Sequence, residues 1–201
     1  MMGMVAACVE YAQKHLHPHV IAAGLPRELI NGKVAKKAII EGFRRTDESL
    51  LQESAEGNWQ DGATAVCVWV LGQTVIVANA GDAKAVLARS TSTDGEGAVA
   101  DIKNPLKAIV LTREHKAIFP QERSRIQKAG GSVGPNGRLQ GRIEVSRALG
   151  DRHLRSDAVE FVQQQLKETP SATPKVRLVK EAVRERRCKD NCTAVLIVFK
   201  H

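Results

Sequence analysis

The chain has 201 residues, enough for one domain with its own core, and a hydrophobic share of 43% is ordinary for a globular protein. Its formal net charge of +8 favours anionic partners, but aromatic residues make up only 3%, which argues against a base-stacking surface. A phosphorylated substrate fits the charge as well as nucleic acid does, and the few aromatic residues make nucleic acid the less favoured partner. The N-terminal apolar run is interrupted by Glu10, Gln13 and Lys14, so we expect neither a signal peptide nor a membrane span.

The four cysteines show no paired C-x-x-C spacing, which favours a reducing compartment, either the cytoplasm or the nucleus. Cys67 lies in an apolar run and is expected to be a small core residue. Cys188 and Cys192 are interpreted as thiols flanking a turn rather than as zinc ligands.

Helical periodicity predicts two amphipathic helices at the start of the chain, over Met4–Val20 and Lys33–Leu51. The alternating histidines at 15, 17 and 19 are expected to face solvent rather than to bind a metal. A polar loop is expected from Glu53 to Gly62.

Three short β-prone runs follow, over Ala63–Leu71, Thr74–Ala80 and Ala83–Arg89. Gly72-Gln73 between the first two suits a type II′ turn. The runs predict a three-strand meander whose first two strands are covered on both faces, because both runs are apolar throughout.

The second half of the chain predicts a mixture of helices and strands. We expect a surface loop over Ser90–Pro105 and then a strand over Lys107–Leu111. A helix is expected over Pro120–Ala129, followed by a turn at Pro135-Asn136-Gly137. The remaining residues predict helices over Asp157–Leu166 and Val176–Arg187, a turn at Lys189–Asn191 and a strand over Thr193–Phe199. Strands in runs with helices grouped around them indicate an α+β fold with antiparallel sheet.

Five segments, in order along the chain, carry a resemblance to a known family. They are Gly62-Ala63-Thr64-Ala65, the turn from Ala78 to Val86, the stretch from Leu111 to Lys116 with Glu122 to Ile126 and Gly130-Gly131, the heptapeptide from Val145 to Asp151, and Lys189 to Thr193. Together they resemble the metal-dependent protein phosphatases, the type 2C serine/threonine phosphatases. The resemblance covers about residues 5 to 199.

The resemblance implies a β-sandwich of antiparallel sheets flanked by helices. It also implies two divalent ions, Mg²⁺ or Mn²⁺, which carboxylates hold around a water that attacks phosphorus. Phosphoproteins would be the substrates of such a chain, and we expect it to be a monomer.

By the same resemblance, Asp190 is a metal ligand, and Glu114 stands where many members have an aspartate near an additional metal. The residues expected to have supporting or structural roles are Asp82, His115, Arg147, Asp151 and Asn191. Arg147 and Asp151 are expected to form an ion pair. No residue is assigned to direct catalysis.

The chain departs from the family pattern at two places. No Asp-Gly-His-Gly turn precedes the first helix, and no Asp-Gly-Leu-Trp turn precedes Asp157. We therefore expect a single, partial phosphatase domain, shortened at its start and after Asp151. Two functions follow: a protein serine/threonine phosphatase, or a catalytically inactive remnant that binds partners.

Overall fold

A computed structural model describes residues 2–26, 32–59, 61–90, 106–151 and 160–165. The chain divides into two compact units, the first comprising Met1–Leu87 with Ile109–Leu166 and the second Ala88–Ala108 with Lys167–His201. The second unit contributes only residues 88–90 and 106–108 to the described part. All the side-chain geometry below lies in the first unit, and the expectation of a single domain stays a prediction.

Two helices open the chain as predicted, α1 over Met2–Ala22 and α2 over Gly32–Glu56. They pack against each other through apolar side chains at helical spacing, among them Cys8, Leu16, Val20, Ile39 and Phe43. These side chains, with the inner face of the first two strands, form the main hydrophobic core.

Helix α2 runs five residues beyond its predicted end at Leu51, so the first part of the predicted polar loop is wrong. Gln52 to Glu56 are mostly good helix formers, which lets the helix continue until Gly57. Asn58 then adopts a left-handed conformation with φ of 53°, and the Trp59 amide donates to the Ser54 carbonyl at 2.9 Å. This pattern is the Schellman motif that commonly ends helices.

Two of the three histidines of α1 do not face solvent freely. His15 stacks on Tyr11 with ring centroids 4.2 Å apart, and His19 Nδ1 lies 3.0 Å from the Thr46 hydroxyl of α2. Both histidines are half-buried, whereas His17 is exposed as predicted. The spacing of four residues between His15 and His19 puts both on one face of the helix, which the alternating pattern obscures.

The first two strands form an antiparallel hairpin, β1 over Ala65–Leu71 and β2 over Thr74–Ala80. Leu71 pairs with Thr74 across a two-residue turn in which Gly72 has φ of 58° and Gln73 does not have positive φ, as a type II′ turn requires. Every residue of β2 is buried, so the predicted cover on both faces is confirmed for this strand.

Strand β1 is covered on one face only, which contradicts the prediction for that strand. Its residues alternate, with Val66, Val68 and Val70 between 38% and 44% exposed. Their neighbours Cys67 and Trp69 pack against the main core. The apolar run therefore predicted the strand correctly, but it did not predict how many faces of the strand are covered.

The predicted three-strand meander is wrong in its third member. β3 over Val86–Ser90 pairs with β4 over Leu106–Val110 in a separate two-stranded sheet. The second neighbour of β2 is β5, over Glu160–Gln165, which runs antiparallel to it with Thr74 opposite Gln165. The helix predicted over Asp157–Leu166 is therefore also wrong at these residues, because backbone pairing with β2 outweighs a weak helical pattern.

The remaining described segments follow the predictions. Helix α3 spans Pro120–Lys128, with proline in its first turn, and ends before Gly130, whose φ is 81°. The turn at Pro135-Asn136-Gly137 is present and closes with a Gly134 amide donating to the Arg138 carbonyl at 2.9 Å. A second small core of Ala117, Ile126, Leu139 and Ala148 holds this region together.

The surface loop over Ser90–Pro105, except for Ser90 itself, lies outside the described residues, as do the predicted helix over Val176–Arg187, the turn over Lys189–Asn191 and the strand over Thr193–Phe199. None of the described helices combines the length and the apolar character that crossing a bilayer requires.

Candidate functional site

The end of β2 and the segment before α3 are joined by buried hydrogen bonds. The Gly81 amide donates to His115 Nδ1 at 3.1 Å, and the His115 amide donates to the Gly81 carbonyl at 2.9 Å. Asn79, which is 1% exposed, donates its side-chain amide to the Arg113 carbonyl at 2.9 Å. Because its Nδ1 accepts a backbone proton, the fully buried His115 carries its own ring proton on Nε2.

Glu114 contacts two lysines. Lys84 Nζ lies 2.6 Å from one carboxylate oxygen and Lys116 Nζ lies 3.1 Å from the other. The hydrogen bond from Lys84 and then that from Lys116 lower the pKa of Glu114. Lys116 also lies 3.1 Å from Glu144 and 4.0 Å from Asp82, so one ammonium group connects three acidic residues.

A second carboxylate, Glu122, fastens α3 to the loop that contains Val145 to Asp151. It accepts hydrogen bonds from Arg147 Nε at 2.9 Å, from the Ser146 hydroxyl at 2.6 Å and from Arg125 Nη2 at 3.1 Å. Arg147 Nη2 contacts its other oxygen, and Arg125 Nη2 also donates to the Ser146 carbonyl at 2.6 Å. Glu122 is 5% exposed, so this is a buried ion pair with full hydrogen bonding.

The electrostatics of Glu122 follow from that arrangement. Burial alone raises the pKa of its carboxyl, but hydrogen bonds from Arg147 and Ser146 and the charges of Arg147 and Arg125 outweigh burial and lower the pKa to about 2. The carboxylate is therefore ionised at any physiological pH and has no proton to donate as an acid. Its role is to hold α3 and the loop together through the hydrogen bonds that it accepts.

The loop after Arg147 is held against α2 and the residues just before β1. Asp47 of α2 accepts a hydrogen bond from the Gly150 amide at 2.7 Å, and Ala63 pairs with Leu149 in an antiparallel bridge. A β-carbon on Gly62 would lie 2.9 Å from the Asp151 side chain, so only glycine allows these two segments to approach so closely. Asp151 is 8% exposed at this junction.

Near the same junction, the Cys8 thiol donates to the Asp61 carbonyl at 3.0 Å. Burial raises the pKa of this thiol, and the negative charges of Asp61 and Asp151 add to the effect. Burial also raises the pKa of the Cys67 thiol, to about 11. Both cysteines therefore stay protonated and act as small packing residues rather than as nucleophiles.

The structure brings together five of the seven residues predicted for the site and its surroundings. Asp82 and Glu114 share Lys116, His115 supports the turn before Asp82, and Arg147 and Asp151 lie at either end of one short loop. Arg147 forms an ion pair with Glu122, which the sequence analysis did not name, and the expected ion pair between Arg147 and Asp151 stays a prediction. Asp190 and Asn191 lie outside the described residues.

Three residues with central positions were not predicted for the site. Glu122 could have been found, since it stands in a matched family segment three residues before an arginine, the spacing of a helical ion pair. Asn79 also stands in a matched segment, and a polar residue at the end of an apolar strand was the available signal. Asp47 had no such signal, because an acidic residue inside a helix usually faces solvent.

The described residues do not fit a dinuclear metal site. Within the ranges that the structure covers, no three His, Cys, Asp or Glu side chains converge as metal ligands. Glu114, the described residue that the resemblance places near a metal, has both oxygens in contact with lysine ammonium groups. Hard divalent ions need several oxygens at once, so this arrangement by itself does not supply them.

A cavity of about 440 Å³ opens beside these carboxylates at the start of α3. Its lining combines the cation of Arg113 with the apolar surfaces of Phe119 and Pro120, and both Glu114 and Glu122 border it. Phe119 is 40% exposed. The cavity could therefore admit a polypeptide segment that packs an apolar side chain on Phe119 and Pro120.

Comparison with known proteins shows which family the chain is similar to. The family model described as protein phosphatase 2C matches residues 4–191. The chain is 73% identical over 235 residues to "Probable protein phosphatase 2C 67" of Oryza sativa subsp. japonica, covering 99% of this chain and 64% of that protein. It is 59% identical over 234 residues to "Probable protein phosphatase 2C 8" of Arabidopsis thaliana, covering 98% and 66%. The chain thus spans just under two thirds of the length of these relatives.

Among solved structures, the fold is similar to the serine-threonine phosphatase 2C from Toxoplasma gondii, with a TM-score of 0.62 at 19% identity, covering 80% of this chain and 60% of that one. Three findings indicate the same family. They are the order of the matched segments, the α+β fold with antiparallel sheets, and the family model that matches most of the chain. The chain belongs to the protein phosphatase 2C family.

Proposed function

We propose that this chain is a protein serine/threonine phosphatase that hydrolyses phosphoserine and phosphothreonine in proteins. The observation that carries the proposal is that family segments far apart in sequence meet through specific side-chain contacts. Gly81 meets His115, and Glu122 meets Arg147, at separations of 34 and 25 residues. The identity of 73% to the rice relative over nearly the whole chain supports the same activity.

The activity would depend on divalent ions, which we propose to be Mg²⁺ or Mn²⁺. Asp190 is the candidate ligand, with Asn191 next to it, and both follow from the family resemblance. Two other family segments are fixed by contacts in the described part: the Glu122 anchor fixes the loop ending at Asp151, and His115 fixes the turn at Asp82.

The substrate would be a phosphoprotein, and the cavity beside Arg113 and Phe119 is the candidate position for the polypeptide next to the phosphorylated residue. Its apolar surface and its two carboxylates suit a peptide chain better than a phosphodiester backbone, whose negative charges the carboxylates would repel. We further propose that the chain acts as a monomer in the cytoplasm or nucleus, without binding nucleic acid or a membrane.

The alternative is a non-catalytic member of the family that binds partners. The lysine contacts of Glu114 favour it, because they occupy oxygens that a cation would otherwise use. So does the alignment with the rice relative, which extends over 235 positions and therefore includes residues with no counterpart in this chain of 201. We propose an internal shortening after Asp151 as the reason, as expected from the missing Asp-Gly-Leu-Trp turn.

One experiment separates the two functions. The full chain, an Asp190→Ala variant and an Asp94→Ala control would be incubated with a phosphothreonine peptide and Mn²⁺, and phosphate release and Mn²⁺ binding would be measured. If the chain is a phosphatase, Asp190→Ala should reduce the rate by about a hundredfold or more, and the Asp94→Ala control should keep its rate. The reason is that mutating a residue that only supports a metal ligand already lowers activity by about 10- to 100-fold. Equal background rates in all three proteins would refute the phosphatase proposal and favour the binding module.

A further inference from the structure

Two histidines of α1 share one face of that helix beside α2. His15 and His19 are four residues apart, and their ring centroids lie 5.9 Å from each other. Both side chains are half-buried, so neighbouring residues hold them while solvent still reaches them. We call them the histidine pair. The pair lies outside the five family segments and has no part in the candidate site.

The position of the ring proton on His19 is fixed by α2. The Thr46 hydroxyl donates its proton to the Gly42 carbonyl at 2.8 Å, so it accepts a hydrogen bond from His19 Nδ1 at 3.0 Å. Neutral His19 therefore carries its proton on Nδ1 and a lone pair on Nε2. Histidines that bind metal ions have this arrangement, in which one nitrogen is the ligand and the other N–H donates to a fixed partner.

The surroundings of His19 favour its neutral form. Burial lowers the pKa of His19 from its ordinary value of 6.5, and the positive charges of protonated His15 and of Arg45 lower it further. A neutral imidazole is the form that binds a metal ion. Arg45 lies 2.8 Å from Glu41, and this ion pair offsets part of the repulsion that Arg45 would exert on a second cation.

His15 is positioned by stacking on an aromatic neighbour. Its ring centroid lies 4.2 Å from that of Tyr11, with 25° between the two ring planes. Stacking uses the face of the His15 ring and leaves the nitrogens at its edge accessible to a ligand.

The separation of the two rings suits a shared ion. Zn²⁺ lies about 2.0–2.1 Å from an imidazole nitrogen, so two rings that bind one ion have centres roughly 5–6 Å apart. The histidine pair, at 5.9 Å, lies at the upper end of this range. Two nitrogen ligands one helical turn apart leave the other coordination positions of the ion to water.

We propose that the histidine pair binds one divalent late transition-metal ion, such as Ni²⁺, Cu²⁺ or Zn²⁺, through a ring nitrogen of His15 and Nε2 of His19. Imidazole nitrogen suits these ions, whereas Mg²⁺ and Mn²⁺ prefer oxygen ligands. The inference does not depend on phosphatase activity. The expectation that these histidines do not bind a metal rested on their alternation in sequence, which conceals the face that His15 and His19 share.

The test is titration of the full chain with Ni²⁺ by isothermal titration calorimetry. His15→Phe keeps a ring that can stack on Tyr11, and His19→Asn keeps a nitrogen that can donate to Thr46, but each variant lacks one ligand nitrogen. Each should weaken Ni²⁺ binding by about tenfold or more, because losing even a group that supports a metal ligand lowers metal affinity by about 10- to 100-fold.

His17→Ala is the matched control, since His17 is exposed and lies two residues from both members of the pair, on another face of α1. It should keep the wild-type affinity, and Ni²⁺ bound elsewhere on the chain contributes equally to every variant. Thermal melts without metal confirm that each variant is folded. With Ni²⁺, the melting temperature should rise for the wild type and His17→Ala, and it should rise less for His15→Phe and His19→Asn. Wild-type Ni²⁺ affinity in either pair variant, or an equal loss of affinity in His17→Ala, would overturn the proposal.

Discussion

At the scale of single residues, Glu122 shows how a buried charge can be retained in a folded chain. Its carboxylate is almost completely removed from water, a change that favours the neutral acid. Two arginines and a hydroxyl nevertheless keep it ionised, and the group links a helix to a loop more than twenty residues away. Removing the carboxylate would leave Arg147, whose side chain is 11% exposed, without this partner.

We expect Glu122→Gln to lower the free energy of unfolding at neutral pH by about 3 kcal/mol, the value of a pKa lowered from 4.5 to about 2. Because the folded-state pKa is the lower one, this contribution is complete above pH 4.5 and disappears as the pH falls towards 2. Urea unfolding across this range should therefore show a steeper loss of stability for the wild type than for the variant.

Glu144→Gln is the matched control, since the Glu144 side chain is 50% exposed and its ion pairs are screened by water. It should leave the pH dependence nearly unchanged. If the free energies of unfolding of wild type and Glu122→Gln change in parallel between pH 4.5 and 2, the ionised Glu122 carboxylate does not stabilise the folded chain.

At the scale of elements, the contact between α1 and α2 depends on Gly42. A β-carbon there would lie 2.3 Å from Val20 Cγ2 and 2.6 Å from Val20 Cα, so the two helix backbones touch at this point. Beside it, the Thr46 hydroxyl donates to the Gly42 carbonyl at 2.8 Å and lies 3.0 Å from His19 Nδ1. Since the hydroxyl proton is used, His19 is the donor in that second contact.

Gly42→Ala should therefore destabilise the chain, although the same change inside an ordinary helix stabilises it by about 1 kcal/mol. We expect a loss of about 1–3 kcal/mol from forced separation of the helices, the usual cost of overpacking. Denaturant midpoints measure it. Gln52→Ala, on the exposed side of the same helix, is the control and should be neutral or slightly stabilising. A Gly42→Ala chain as stable as the wild type would contradict the close packing.

At the scale of the whole molecule, the described part exposes an apolar strip. Val66, Val68 and Val70 lie along β1, which is an edge of the described three-stranded sheet. Exposed apolar edges promote pairing with other chains. Within the described residues, the apolar strip therefore lies along a strand that has one neighbour.

Replacing Val68 and Val70 together with threonine should reduce self-association, because threonine keeps the strand preference and adds a polar group on the exposed face. Light scattering at rising protein concentration should show the difference. The matched pair Val75→Thr and Val77→Thr changes the buried neighbouring strand, and it should lower the melting temperature without improving solubility. Unchanged scattering for the exposed pair would mean that the strip does not drive association.

The division into two compact units bears on unfolding of the whole chain. We expect weak cooperativity, because two compact units need not unfold together, so that the calorimetric enthalpy of unfolding should differ from the van't Hoff enthalpy. Differential scanning calorimetry of the full chain would test this. A single sharp transition with equal enthalpies would contradict the expectation.

The sequence by itself determined the family, the α+β class, helices α1 to α3, strands β1 to β4 and the turn at Gly72, because local periodicity and turn residues specify these directly. Only the tertiary structure decided the second neighbour of β2, which is β5 rather than β3, because strands pair through backbone groups that are the same in every sequence. It alone paired Arg147 with Glu122 and placed lysines on Glu114. Such partners depend on distance in space, and no spacing along the chain encodes that distance.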